Sequence, residues 1–161
     1  MTEPIYITTA RCLIRRFEEK DLPAFAAYRN NAAWMKHQLF KGLTLAEYRR
    51  AVLTDRLPEE GVQLAVIQKE TGRLIGDLYV HAPNGEYWLG YTVAPAYARQ
   101  RYALEAVRAL LRWLKEKKSC PRVFAAVLPE NIPSENLLRH LGFAFLRFDP
   151  NTRENIYAVT L

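Results

Sequence analysis

Leu89-Gly90-Tyr91-Thr92-Val93-Ala94-Pro95-Ala96-Tyr97, continued by Ala98-Arg99-Gln100-Arg101-Tyr102-Ala103, decides the fold, because the periodicity changes inside it. Glu86 to Val93 alternates with the period of two that a half-buried strand requires. Beyond Pro95 the period becomes 3.6: Ala106, Val107, Leu110, Leu111 and Leu114 form one apolar stripe opposed by Glu105, Arg108, Arg112, Lys115 and Glu116. A long helix therefore lies on a sheet. Its entry offers no Ser, Thr, Asp or Asn to satisfy the orphan N–H groups of the first turn. Arg99 and Arg101 stand where the helix dipole is already positive, at a cost of ~0.3–1 kcal/mol each unless an anion reverses the sign. Free amides and arginines at the start of a helix that follows a strand describe a phosphate site. The competing reading is that both arginines point into water.

Outward from this unit, Asn84-Gly85 is the dipeptide a type I′ hairpin turn needs, since both central residues take positive φ. That turn predicts the pairs Pro83–Glu86, His81–Trp88, Tyr79–Gly90 and Asp77–Thr92 between Leu74–His81 and Glu86–Val93. Asp77, Tyr79, His81, Glu86 and Trp88 then share one face, opposite Leu78, Val80, Leu89 and Tyr91. Upstream, Arg11–Phe17 and Gln63–Gln68 read as strands, Asp21-Leu22-Pro23 opens a helix running to about Asn30, and Thr44 caps a second helix. Downstream, Val123–Leu128 reads as a strand covered on both faces, and Pro133–Leu141 as a short helix closed by Gly142. Phe143–Phe148 and Asn155–Leu161 read as two strands joined by Asp149-Pro150-Asn151. The order β-α-α-β-β-β-α-β-α-β-β predicts one domain over residues 1–161. Its class is α/β with a mixed sheet, about seven strands and about four helices on both faces.

The 161 residues, half of them apolar, suffice for one continuous core and are too few for two ordinary domains. The longest apolar run, Val123–Leu128, falls far short of the ~18 residues that span a bilayer, and Met1-Thr2-Glu3-Pro4 lacks the features of a signal peptide. Cys12 and Cys120 match no metal or disulfide spacing, which points to a reducing, cytoplasmic setting. A net charge of +6 favours an anionic partner, a nucleic acid or a phosphate-rich cofactor. Lys and Arg are spread along the chain without the aromatic interleaving of an RNA-binding sheet, which disfavours nucleic acid.

At this level of detail the chain resembles the GNAT superfamily of acyl-CoA-dependent N-acetyltransferases. Leu89 to Tyr97 followed by Tyr102-Ala103-Leu104-Glu105-Ala106 looks like its acyl-CoA motif, and Asn131-Ile132-Pro133-Ser134-Glu135-Asn136-Leu137-Leu138-Arg139-His140-Leu141-Gly142-Phe143 is similar to its Asn-x-x-Ser helix ending in Leu-Gly-Phe. Ala10-Arg11-Cys12-Leu13-Ile14-Arg15-Arg16-Phe17 resembles the first strand of the RimJ/RimL-like branch, which acetylates ribosomal-protein N-termini. The resemblance covers the whole chain in the right order. It implies a GNAT fold, acetyl-CoA as cosubstrate, no metal, and transfer of the acetyl group to a primary amine by direct attack in a ternary complex. The partners so implied are acetyl-CoA and an amine acceptor, a small molecule or a peptide N-terminus, with no membrane; a homodimer is left open.

The cofactor-binding residues so implied are Tyr91, Thr92, Val93, Arg99, Gln100, Arg101, Tyr102, Ala103, Asn131, Ser134 and Asn136. In the family the thioester lies in a splay between the strand ending near Val93 and the strand from Val123, with a backbone N–H as oxyanion donor. Two departures stand out. Only Ala103 fits the usual Gly-bearing pyrophosphate loop, so Arg101 either obstructs the phosphates or clamps them. Leu138 replaces the tyrosine with which many relatives protonate the departing thiolate. Ser134 resembles the family serine beside the sulfur and is expected as donor to it, although it also reads as an early-helix serine bonding only its own backbone. For the base, the polar hairpin face offers Asp77, nearer the chemistry, and Glu86, nearer the turn, with His81 beside them; solvated strand residues are the plainer reading. Trp34, Met35, His37 and Phe40 read equally as acceptor wall or as core. An acetyltransferase and a catalytically degenerate acyl-CoA-binding regulatory module both fit, and turnover separates them.

Overall fold

The computed structural model describes residues 4–161. Its elements are β1 (Tyr6–Thr8), β2 (Cys12–Arg16), α1 (Leu22–Arg29), α2 (Leu45–Val52), β3 (Val62–Gln68), β4 (Leu74–His81), β5 (Tyr87–Val93), α3 (Tyr102–Lys118), β6 (Arg122–Val127), α4 (Ile132–His140), β7 (Ala144–Asp149) and β8 (Glu154–Thr160). The strands form one 8-stranded sheet in the order β1-β2-β3-β4-β5-β6-β8-β7. Every neighbouring pair is antiparallel except β5 and β6, which run parallel because α3 carries the chain back across the sheet. The mixed α/β sheet with four helices is as expected. The eighth strand is β1, three residues with a single inward side chain, Ile7, too short to show alternation in the sequence.

The hairpin obeys its turn. Asn84 and Gly85 take φ of 57° and 79°, the Glu86 amide donates to the Pro83 carbonyl at 3.2 Å, and the pairs Asp77–Thr92, Tyr79–Gly90 and His81–Trp88 are in register. Period-two alternation then sorts side chains between two layers. α3 and α4 cover one face, where Leu78, Val80, Leu89, Val107, Leu110 and Leu138 join a core that runs through the sheet. α1 and α2 cover part of the other, where Phe25 meets Tyr28 and Tyr48 edge to face over Ala65 and Ile67. These helices leave the β4–β6 end of their face open. There the Phe124 ring of β6 stacks on Trp88, 5.1 Å away, with the Arg122 guanidinium 4.8 Å from its centroid.

Glu105 ties the β1–β2 turn to the first turn of α3. Its carboxylate accepts from Thr9 Oγ1 at 2.5 Å, from the Arg11 amide at 2.9 Å and from Arg11 Nε at 2.7 Å. These bonds outweigh partial burial and hold its carboxyl below the usual range. The same Arg11 guanidinium lies 4.0 Å over the ring of Tyr102. No helix among the described residues is long and apolar enough to cross a membrane. Cys12 and Cys120 are free and buried.

Candidate active site

Where β5 and β6 should continue as a parallel pair, they part. The ladder consists of Tyr87–Val123 and Trp88–Phe124 and then stops, so residues 89–93 and 125–127 diverge into a wedge. Small residues border it: Gly90 on β5, Ala125 and Ala126 on β6. The wedge opens toward the start of α3 and the start of α4, which brings together the two blocks of sequence singled out above.

On the α4 side, Tyr91 and Ser134 meet. The Tyr91 hydroxyl lies 2.5 Å from Ser134 Oγ and donates to the Ser134 carbonyl at 3.1 Å. Burial pushes the Tyr91 phenol up to about 12. Asn131 caps α4 by accepting from the Ser134 amide at 3.4 Å, which orients the first turn. Leu138 is fully buried one turn further on, so the departure noted in the sequence is a core position here. Asn136 is exposed on α4.

At the start of α3 the chain solves the missing-glycine problem with its backbone. Arg99 and Arg101 both adopt left-handed φ, 62° and 64°, a conformation that costs a non-glycine residue about 1–2 kcal/mol. Arg101 is the N-cap residue of α3 and its side chain caps nothing, so the helix presents its first amides uncapped. The loop thus keeps the glycine geometry despite the side chain. Arg101 lines a groove of about 400 Å³ together with Arg11, Arg108, Arg112 and Glu105. The groove follows the flank of α3 from Arg101 to Arg112, and its upper end meets the uncapped amides that suit a phosphate. Gln100 and Arg99 are exposed, whereas the Tyr102 ring is buried with its hydroxyl bonded to Gln68, leaving only its backbone for a ligand.

The opposite face differs from expectation in its carboxylates. Asp77 is 1% exposed, and its oxygens accept from Arg29 at 2.5 Å, from Gln63 at 2.7 Å and from the Tyr28 hydroxyl. Arg29 also donates to Thr92 Oγ1 at 3.2 Å, so the Thr92 side chain turns to this network and away from Tyr91. A sealed, ion-paired carboxylate with its oxygens occupied is not free to meet an amine. Glu86 is exposed at the turn, the end of β5 where the strands are still paired, and the structure does not bring it to Asp77 or to the wedge. Both were expected at the chemistry, and packing places neither there. His81 is half-buried beside Tyr79, ring centroids 5.0 Å apart, with Nδ1 buried and unbonded. Desolvation pushes its pKa down, which keeps the ring neutral.

Arg29, Tyr28 and Gln63 escaped the sequence reading. The signal was present: Leu22, Phe25 and Arg29 share one face of α1, and an arginine on an apolar stripe calls for a buried acid. Trp34 is 41% exposed rather than core, its Nε1 donating to the Val93 carbonyl at 2.9 Å where β5 ends. Met35 is fully buried core, and Phe40 packs on Tyr48. A cavity of about 590 Å³ lies between Tyr28 of α1, Arg73 of the β3–β4 turn and the Ala94–Tyr97 turn. Among the described residues no three His, Cys, Asp or Glu side chains are grouped to hold a metal.

A mixed sheet parted at its one parallel pair, with an uncapped basic helix at the mouth, is the arrangement that the resemblance to acyl-CoA-dependent acyltransferases implies. Residues 11–144 match the acetyltransferase (GNAT) domain, and the chain belongs to that family of acetyl-CoA-dependent N-acetyltransferases. It is 31% identical over 140 residues to the uncharacterized N-acetyltransferase YnaD of Bacillus subtilis, covering 86% of this chain and 82% of that protein. The GNAT-family acetyltransferase of Bacillus anthracis shares the fold with a TM-score of 0.85 at 26% identity, over 97% and 98% of the two chains. The ribosomal alpha-N-protein acetyltransferase RimL, in complex with coenzyme A, shares it with a TM-score of 0.82 at 17% identity, over 99% and 98%.

Proposed function

We propose that this N-acetyltransferase acts on the α-amine of a peptide or protein N-terminus. The observation that carries the reading is the acceptor face: its carboxylates are either buried in an ion pair, Asp77, or remote, Glu86, and the side chain left to take a proton is a neutral histidine. Such a face suits an amine that needs little help. An α-amine titrates near ~7.7–8.0 against ~10.4 for a lysine side chain, so far more of it is neutral at cellular pH. The fold shared with RimL, named for alpha-N-protein acetylation, supports the same class of acceptor. The two buried free thiols suit work in a reducing cytoplasm.

In this reading the amides at the start of α3, with Arg99 and Arg101, hold the pyrophosphate, and the Asn131 side-chain amide and Val93 backbone border the pantetheine. Tyr79, His81, Trp88 and Phe124 receive the amine on the face that α1 and α2 leave open. His81, whose Nδ1 is buried and unbonded, accepts the proton the amine sheds at its other ring nitrogen, Nε2, directly or through one water. A backbone N–H at the end of β5 stabilises the oxyanion, and Ser134 donates to the sulfur as it leaves. No covalent intermediate is needed, since no His–acid pair is there to activate Ser134. Asp77 acts at one remove, by fixing Arg29 and through it the Thr92 end of β5.

Free-thiol release from acetyl-CoA, measured near neutral pH with peptides, lysine, polyamines and amino acids as acceptors, tests the reading. Peptides with a free α-amine and blocked lysines should give the highest kcat/KM. Equal or better turnover of polyamines or of α-blocked lysine peptides contradicts it.

A further inference from the structure

The thiolate leaves beside a serine whose hydroxyl is poorly committed by its own helix, so something must aim it. Tyr91 is placed to do so. Its ring packs on the α3–α4 face of β5, and its hydroxyl reaches the first turn of α4, within hydrogen-bond distance of both oxygens of Ser134, Oγ at 2.5 Å and the carbonyl at 3.1 Å. The position one turn along α4, Leu138, is sealed in the core and supplies no hydroxyl. The Ser134 amide is held by Asn131, so the serine backbone is fixed and its Oγ–H is left to rotate.

Resting on the acetyl-transfer reading, we infer that Tyr91 is the positioning residue of the leaving-group side: it holds Ser134 Oγ as an acceptor so that the serine proton points at the sulfur. Before transfer the phenol donates to the Ser134 carbonyl and receives from Ser134 Oγ. As the amine nitrogen bonds to the acyl carbon and the C–S bond breaks, its electron pair moves onto sulfur. Ser134 Oγ–H then turns to the sulfur, and the phenol O–H swings from the carbonyl to the vacated Oγ lone pair. The phenol keeps its proton throughout, since burial pushes it up to about 12. The sulfur gains one proton from water, and the amine returns one to water through its base, so the exchange balances. Where a tyrosine at position 138 would protonate the thiolate, this pair of hydroxyls, Tyr91 on β5 and Ser134 on α4, offers it a hydrogen bond and leaves its proton to water. It strengthens a hydrogen bond formed only as charge develops, which raises kcat and leaves ground-state binding alone.

A double-mutant cycle tests it, with kcat from thiol release, KM for a peptide acceptor and Kd for CoA by calorimetry. Tyr91→Phe keeps the ring, and its fold is checked by thermal denaturation and CoA binding. Tyr91→Phe and Ser134→Ala should each lower kcat about 10- to 30-fold with CoA Kd and acceptor KM within about 2-fold, and Tyr91→Phe in the Ser134→Ala background should cost less than about 2-fold more. Ser134→Thr, which retains the hydroxyl, should keep most of the rate and all of its dependence on Tyr91. If Tyr91→Phe leaves kcat unchanged, repeats its full effect without Ser134, or weakens CoA binding by the same factor as kcat, the inference is overturned while the transfer reading stands. If the wild-type enzyme releases no thiol with any amine, the transfer reading itself fails and takes the inference with it.

Discussion

The Arg29 guanidinium lies 2.5 Å from the Asp77 carboxylate under the acceptor face, and the two side chains are 4% and 1% exposed. One comes from the last turn of α1 and the other from the middle of β4, so this pair fixes the helix to the strand that borders the site. Removing one partner strands a buried charge, which costs about 3–5 kcal/mol. Asp77→Asn should therefore lower Tm by roughly 6–20 °C, at ~2–4 °C per kcal/mol. CoA affinity of the protein that remains folded should change little. A full-stability Asp77→Asn enzyme with a raised acceptor KM would instead place this carboxylate at the amine.

His81 is the group whose titration the acceptor side should report. Its folded pKa is depressed by burial, so the unfolded chain binds the proton more readily. The stability this contributes is complete above the unfolded value of about 6.5 and is lost as pH falls through the lower, folded value. Thermal denaturation of wild type and His81→Gln from about pH 7.5 to 4.5 should show the variant losing part of that acid sensitivity. In kinetics the same variant should lose about 100-fold in kcat, the low end for a positioned base, with unchanged CoA Kd. An unaffected kcat removes the histidine from the proton path.

Arg101 holds a left-handed backbone that glycine adopts freely. Arg101→Gly relieves about 1–2 kcal/mol of strain and loosens the unfolded chain by ~0.5–1 kcal/mol, so stability should be unchanged or raised by up to about 1.5 kcal/mol. If the side chain clamps phosphate, CoA binding should weaken several-fold, in a manner that fades at high salt. Tighter binding would identify it as an obstruction.

Glu105 joins the β1–β2 turn to α3 through three hydrogen bonds, with its side chain 20% exposed. Its folded pKa is depressed, so its contribution is present above the unfolded value near 4.3 and is lost as pH falls through the folded one. Glu105→Gln should cost about 1–2 kcal/mol at pH 7, allowing for the solvent around Arg11. The difference from wild type in thermal denaturation should shrink toward pH 3. A constant difference would mean the bonds depend on shape rather than charge.

Much of this architecture is legible in the chain because short-range rules dictate it. Asn84-Gly85 sets the hairpin register, and with it the shared face of Asp77, Tyr79, His81 and Trp88. The 3.6-residue stripe from Ala106 to Leu114 sets the buried side of α3. What alternation cannot reveal is which residues of a face are covered. Asp77 and His81 share a face, yet α1 descends on the first and leaves the second half-open, a matter of helix placement between residues far apart in sequence. The contact between Tyr91 and Ser134 spans 43 residues and depends on the strands parting, which no local pattern records.

The central claim is direct transfer at the β5–β6 wedge, and a quenched time course read by mass spectrometry tests it most directly. Wild-type protein, acetyl-CoA and a peptide with a free α-amine are mixed, and acetyl on the peptide, free CoA and acetyl on the protein are followed together. The account predicts acetylpeptide and free CoA rising in equal amounts, with the acetyl on the peptide α-nitrogen and no acetyl on the protein at any time. Tight CoA binding without thiol release from any amine, or an acetyl-protein species that decays as acetylpeptide forms, would contradict it.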